Sequence, residues 1–355
     1  MRILFVAPYP IGQAPSQRFR FEQYFTLLQQ QGIRFDTAPF WSAAAWSILY
    51  QKGRLFKKAL FLLFSFLKRP FIVIKAIRYD FIFIHREAAP IGPPVLEWIL
   101  TKVLRKKVIF DFDDAIWLPN TSDSNRMVSW LKNHGKTAKL CQWSYVVSAG
   151  NSFLAQYAKR VNDNVVVNPT TIDLKHHNQL KKHVSKDMVT IGWTGSHSTN
   201  RYLRMVVPVL KQILEQFGCR IVIISDQDPH LLLKGYNFIR WNKQEEIDQL
   251  LQLDIGIMPL HDSDWEKGKC GFKALQYMSL GIPTVASPVG VNRQIIDDSK
   301  NGFLCSSEEE WINKLSALIK SKTLRVNMGK AGRKTVEDRY STKANVSTFL
   351  SLFAK

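Results

Sequence analysis

The chain has 355 residues, 46% of them hydrophobic, which is too much for one typical core and enough to fill two. With 49 lysines and arginines against 29 aspartates and glutamates its formal charge is +20, which invites an anionic partner: nucleic acid, anionic lipid or a phosphorylated substrate. No zinc-finger spacing or RNA-recognition signature occurs, so nucleic acid is set aside; the scattered Cys141, Cys219, Cys270 and Cys305 argue against a disulfide framework or zinc site and fit a reducing compartment.

Arg2–Ala7 reads as a buried parallel strand, not a leader. Ser16 is placed to cap a helix over Gln17–Gln30, closed at Gly32. Gly12 sits in the loop between them, at the mouth of a strand–loop–helix unit, although the loop is not G-x-G-x-x-G. Arg18 and Arg20 lie near that mouth and read equally as a solvated face or as substrate contacts. In Trp46–Lys75 an apolar face of Leu55, Phe56, Leu60, Phe61, Leu63, Phe64 and Leu67 is flanked by Lys52, Arg54, Lys57, Lys58, Lys68 and Arg69. Its unbroken apolar part, Ala59–Leu67, is too short to span a bilayer and suits a helix lying in the headgroup plane; the alternative is a core helix. Tyr79–His85 is a strand releasing His85, Arg86 and Glu87, and Glu97–Leu104 a helix. Lys107–Phe112 is a strand running into Asp111, Asp113 and Asp114. Asp111 and Asp113 share a face at period 2, and such charge needs a paired cation or a polar crevice.

A polar loop at Asn120–Arg126 leads to a helix ending near Cys141. Tyr145–Ser148 and Val165–Val167 are strands, with a helix from Ser152 to Arg160 between them. Leu174–Asp187 is polar and basic, with His176 and His177, and reads as an exposed linker. Beyond it, Val189–Trp193 is a strand. The small-residue loop Thr194, Gly195, Ser196 through Asn200 follows, opening a helix over Arg201–Phe217 and suited to giving N–H groups and hydroxyls to a diphosphate. Strands are expected at Arg220–Ser225, Phe238–Trp241 and Asp254–Pro259, and a helix at Gln244–Gln252. In Gly268–Gly290 a helix ends at Gly281 and is followed by Pro283 and a strand, Thr284–Ala286. Lys267, Gly268, Lys269 and Gly271 ahead of that helix, with Lys273 one turn in, suit a phosphate; the alternative is an ordinary αβ unit with basic surface residues. Helices over Glu308–Lys320 and Thr323–Val336 and a kink at Tyr340-Ser341 close the chain.

Gly271-Phe272, Gln276, Gly281-Ile282-Pro283 and Val285-Ala286-Ser287 resemble, in order, the donor-nucleotide motif of family 4 glycosyltransferases. Gly150-Asn151, Leu154 and Asn168-Pro169-Thr170-Thr171-Ile172-Asp173 resemble motifs at the end of that family's first domain. Gln276 stands where the family has the glutamate that holds the donor ribose, and its amide still hydrogen-bonds a hydroxyl. The family's other glutamate falls at Gly268–Lys269, where no carboxylate stands. The resemblance implies an α/β GT-B architecture, two Rossmann-like doubly wound domains facing across a cleft. The acceptor domain is then 1–173, with 46–75 as a membrane-docking segment; 174–188 is the linker, 189–339 the nucleotide-sugar domain, and 340–355 a helix returning to the first domain.

The implied activity is transfer of a sugar from a nucleoside-diphosphate sugar to a polysaccharide or lipid-linked acceptor. It would proceed with retention, without metal or organic cofactor, on the cytoplasmic face of the membrane. Thr194, Gly195, Ser196, Lys269, Gly271, Phe272 and Gln276 are the expected donor contacts, with Gly12 in the first domain and Arg240 and Trp241 beside the nucleobase. Lys273 is expected to stabilise the leaving diphosphate. Asp113 and Asp114 would bind a sugar or hold the acceptor hydroxyl; the competing reading of D-x-D-D is the divalent-ion motif of a different glycosyltransferase architecture. An epimerase of the same architecture and a non-catalytic partner in glycan assembly remain open.

Overall fold

The computed structural model describes residues 1–49, 51, 53–119, 133–182 and 188–354. Lys52, the loop expected at 120–126 and the end of the expected linker at 183–187 lie outside the described residues. The chain divides into two compact units, Met1–Thr170 with Val346–Lys355, and Thr171–Asn345.

Six strands of the first unit, β1 (Arg2–Ala7), β2 (Arg34–Pro39), β3 (Phe81–His85), β4 (Lys107–Phe112), β5 (Val146–Ala149) and β6 (Val165–Val167), form one parallel sheet in the order β2-β1-β3-β4-β5-β6. The central strands are apolar at nearly every position because both faces of the sheet are covered. Phe5 stacks on Phe21 at 5.3 Å and packs against Phe83 at 5.1 Å. The C-terminal helix Val346–Ser351 completes this core: Phe349 lies flat on Tyr24 with 4.1 Å between ring centroids.

The helix expected over Gln17–Gln30 is instead a turn of α-helix at Pro15–Arg18 capped by Ala14, a 3-10 turn at Glu22–Tyr24 and an α-helix at Phe25–Gln30. The break turns Arg20 into the core, where it is neither solvated nor a surface contact. It pairs with both oxygens of Asp111 and donates to the Asn168 carbonyl. Asp111 also accepts from His85 Nδ1 at 2.7 Å and Ser148 Oγ at 2.6 Å. Burial opposes the Asp111 charge, but the Arg20 guanidinium and the His85 hydrogen bond outweigh it and hold the carboxyl well below the usual range.

The second unit contains β7 (Val189–Gly195), β8 (Cys219–Ser225), β9 (Tyr236–Arg240), β10 (Ile255–Met258), β11 (Thr284–Ala286) and β12 (Phe303–Leu304), ordered β12-β11-β10-β7-β8-β9 and all parallel. Counted from its own first strand this is the doubly wound order 3-2-1-4-5-6 of dinucleotide-binding domains. The helix expected over Arg201–Phe217 is a 3-10 segment, His197–Val206, followed by an α-helix at Val207–Gln216, with proline in the first turn where its missing N–H costs nothing. Residues 174–182 are mostly exposed, as expected of a linker, but two of them are anchored in the second unit. His177 is fully buried and its carbonyl accepts from Arg333, while Lys181 pairs with Asp254 at 2.9 Å.

Replacing Asp111 with asparagine leaves Arg20 buried without its counter-charge, and we expect a loss of ~3–5 kcal/mol in thermal or denaturant unfolding. A depressed carboxyl stabilises the fold above its unfolded pKa, so this contribution is present at neutral pH and is lost as pH falls below about 4. The acid-induced drop in melting temperature should therefore be shallower in Asp111→Asn than in the wild type.

Candidate functional site

In the second sheet the strand order reverses between β7 and β10, and in doubly wound folds the crevice beyond the carboxyl ends of such a strand pair is where ligands bind. Beyond β7 the chain enters Ser196–Val206. Beyond β10 it passes through the turn Asp264–Lys267 into the α-helix Phe272–Ser279. That helix is capped by Gly271 at φ +68°, a left-handed position, and a Cβ there would meet Ile295 Cδ1 at 2.2 Å. With glycine as the cap, no cap side chain takes up the first-turn N–H groups.

Tyr277 fixes this helix to the strands. Its ring lies against bare Gly256 on β10, where a Cβ would come within 2.4 Å of it, and its hydroxyl accepts from Thr194 N–H at 2.8 Å. Lys273 thereby sits over the Trp193 ring, 5.4 Å from its centroid. Glu266 ties the two loops together. It accepts from Tyr202 Oη at 2.5 Å, from Ser263 Oγ and from Arg201 at 3.4 Å. Burial raises the Glu266 carboxyl, but the hydrogen bonds from Ser263 and Tyr202 outweigh it and keep the group ionised. Lys269 lies between Tyr202 and Trp265, 5.9 and 5.8 Å from their rings. Lys267 is engaged elsewhere, with Asp264 at 3.2 Å and Asp262 at 3.7 Å. Arg201, Lys269 and Lys273 thus each lie over an aromatic ring at this end of the sheet, the first two over Tyr202 and the third over Trp193.

Residues 188–321 match the family model described as glycosyl transferases group 1. That match lies within the second unit, Thr171–Asn345. Among curated proteins the chain is 23% identical over 184 residues to spore coat protein SA of Bacillus subtilis, an alignment covering 50% of this chain and 42% of that one. It is 25% identical over 158 residues to N-acetyl-alpha-D-glucosaminyl L-malate synthase of Bacillus anthracis, covering 42% and 40%. The matched region thus spans about two fifths of the length of these curated relatives. Solved structures match over nearly the whole chain: sucrose-phosphate synthase of Thermosynechococcus elongatus with TM-score 0.72 and 12% identity, covering 99% of this chain and 98% of that one. Anabaena Alr3699/HepE, solved with UDP and glucose, matches with TM-score 0.67 and 15% identity, covering 100% and 99%. The fold is the two-domain α/β GT-B fold.

Within the second unit the expected amide cradle at 194–200 is largely used up internally. Thr194 N–H goes to Tyr277, Ser196 N–H to Thr199 Oγ1 at 3.1 Å and His197 N–H to Asp226 at 2.6 Å. Tyr277, Asp226 and Thr199 thus take these donors, and the loop presents the exposed hydroxyls of Ser196 and Ser198, 2.9 Å apart. Gln276 is buried with its Nε2 lacking a hydrogen-bond partner among the described residues, a donor that calls for an acceptor. Arg240 is exposed at the carboxyl end of edge strand β9, and Trp241 N–H donates to the Ser225 carbonyl at 2.9 Å. Sequence reading missed Tyr277, Tyr202 and Glu266. The only local signal was position: Tyr277 follows Gln276, and Glu266 ends the acidic loop.

The three candidates in the first unit lie at the carboxyl ends of β1 and β4. Gly12 (φ +79°) donates its N–H to Glu22 at 2.8 Å, which gives it a role in fastening its own loop. Asp111 and Asp113 do not act together as a pair: Asp111 turns inward to Arg20, while Asp113 and Asp114 bind Arg86 at 2.7 and 2.6 Å. Arg86 adopts the left-handed conformation (φ +58°), and its N–H donates to the Asp111 carbonyl at 2.7 Å.

Tyr277→Phe strands the Thr194 N–H, and thermal unfolding of the second unit should lose ~1–2 kcal/mol. Gly256→Ala drives a methyl into the same ring and should lose ~1–3 kcal/mol.

Proposed function

We propose that this chain transfers a sugar from a nucleoside-diphosphate sugar, held by the second unit, to a polysaccharide or lipid-linked acceptor. The observation that carries this reading is that Lys269, which precedes the glycine-capped helix Phe272–Ser279, and Lys273 in its first turn lie over the rings of Tyr202 and Trp193 beside the switch point, within the region that matches the group 1 glycosyltransferase model. The diphosphate leaving group gains negative charge as the glycosidic bond breaks. Preorganised cations and a helix N-terminus stabilise that charge more in the transition state than in the ground state. Gln276 offers its unpartnered amide to a ribose hydroxyl. Ser196 and Ser198 offer hydroxyls to phosphate oxygens. Arg240 and Trp241 are our candidates for the nucleobase, and Asp113 and Asp114, held by Arg86, for contact with the acceptor.

Because two lysines supply the positive charge, we propose that no metal ion takes part, and that millimolar chelator leaves turnover unchanged. Retention of configuration follows from the family resemblance. We propose that the basic, apolar segment 46–75 docks the protein on an anionic membrane surface, which suits a lipid-linked acceptor.

The first test is a thermal-shift titration with UDP-, GDP- and ADP-sugars, UDP-glucose leading because the matched Anabaena protein was solved with UDP and glucose. A donor at 100 times its Kd should stabilise the protein by ~2.7 kcal/mol. Lys273→Ala should lower turnover at least ~100-fold without unfolding the protein; near-normal turnover refutes the assignment. The absence of a carboxylate at Gly268–Lys269 favours one rival, a non-catalytic partner, which would bind the donor but neither transfer nor hydrolyse it. An epimerase would release altered sugar without any acceptor.

A further inference from the structure

The helices Leu55–Leu67 and Arg69–Ala76 are amphipathic in the wrong sense for a protein core. Lys68 between them keeps right-handed helical dihedrals (φ −78°, ψ −19°), so 3- and 4-residue spacing carries across the junction. One stripe, Ser65, Arg69, Ile72 and Ala76, is buried, and Phe61, Leu62 and Phe66 beside it pack on Phe40 and Trp41. Arg69 is therefore not the flanking surface cation the sequence suggested. It is buried against the Phe40 ring at 4.9 Å and donates to the Ala38 carbonyl at 3.2 Å.

The opposite stripe, Phe56, Leu60, Leu63, Leu67, Phe71, Ile74 and Ile77, is apolar at every position, yet all seven are exposed, from 42% at Leu60 to 82% at Phe56. At ~1.5 Å per residue it runs for about 30 Å. The helical segment 95–103 packs beside Arg69–Ala76 and adds exposed Val95, Trp98 and Val103. Arg54, Lys57, Lys68, Lys75, Arg78, Lys102 and Arg105 are exposed around these residues, and no acidic residue occurs between Asp36 and Asp80.

We propose that this whole surface, from Phe56 to Ile77 and including Val95, Trp98 and Val103, is a docking platform for an anionic lipid bilayer. The proposal rests on the membrane reading above and extends it beyond the segment 46–75. Charge selects the occupant. An apolar stripe set among cations with no intervening acid matches acyl chains beneath anionic headgroups, and each basic residue near such a surface multiplies binding roughly five-fold. Trp98 is the residue type that settles at the headgroup level. Docking along the stripe lays the helices parallel to the membrane plane, with the sheet of the first unit behind them.

The test is co-sedimentation of the full chain with phosphatidylglycerol–phosphatidylcholine vesicles and with pure phosphatidylcholine vesicles. The wild type should bind the anionic vesicles, lose binding in high salt and bind the neutral ones weakly. Phe71→Ser with Ile74→Ser and Ile77→Ser, and separately Trp98→Ser with Val103→Ser, should each lower partitioning at least ~10-fold. Because these side chains are exposed, the melting temperature should hold. If these variants bind as the wild type does while Leu60→Ser with Leu63→Ser abolishes binding, the extension is wrong and docking is confined to the first helix. Equal binding to neutral vesicles refutes the choice by charge. No vesicle binding, or a concentration-dependent dimer that the variants dissolve, overturns the proposal in favour of a protein partner. The donor thermal shift reads the other unit and is unaffected by any of these results, so the two failures are distinguishable.

Discussion

The contact of the Tyr277 ring with the bare backbone of Gly256 is the constraint on which the second unit turns. It sets the height of the helix Phe272–Ser279 above the sheet, and the Tyr277 hydroxyl then locks that helix to the end of β7 through Thr194. Everything cationic at the crevice depends on this placement. Lys273 reaches the Trp193 face only because its helix is held there, and Lys269 meets Tyr202 because Glu266 bridges the two loops. The buried Glu266 carboxylate is kept charged by the hydroxyl donors Ser263 and Tyr202 and by Arg201. Because the amides of the first loop already have internal acceptors, the electrostatics of this end come from side chains and from one helix terminus.

The first unit handles charge differently. Asp111 and Arg20 are both shut away from water, an arrangement whose desolvation cost is offset only when every lone pair and N–H is used. Here His85, Ser148 and the Asn168 carbonyl complete the set. The network links β3, β4, β5 and the segment after β1, so it specifies register as much as stability. Just beyond the carboxyl ends of β3 and β4, Arg86 gathers Asp113 and Asp114, all three partly buried. Two consecutive arginine-bound acid groups, one fully buried and one partly buried, explain why an aspartate-rich strand end need not be read as a single site.

The exposed apolar stripe inverts the usual relation between burial and hydropathy. Its opposite face satisfies the protein through Ile72, Ala76 and buried Arg69, so the stripe is surplus to the core. Large aromatic and branched side chains remain in solvent where polar residues would have served the fold equally well.

Much of the architecture was legible because parallel strands covered on both faces must be apolar runs: Arg2–Ala7, Lys107–Phe112 and Thr284–Ala286 stand where their sequences put them, and the edge strand Val165–Val167 was legible from its run of β-branched valines. The helix stop at Gly281 was equally local, since a left-handed backbone there needs glycine. β2 and β12 went unread, the one because its edge position leaves it mostly half-exposed and weakly apolar, the other because it is two residues long. The basic glycine loop before Phe272 was visible as composition. What composition could not show is pairing at a distance. That Arg20 would break its helix to reach Asp111, that Asp226 and Thr199 would absorb the amides of the loop after β7, and that Glu266 would clasp Tyr202 are facts of three-dimensional proximity. Sequence determined the local elements through periodicity and backbone preference. Only tertiary structure decided which charges neutralise one another and which apolar face remains outside, because both are settled by what lies across the fold from each residue.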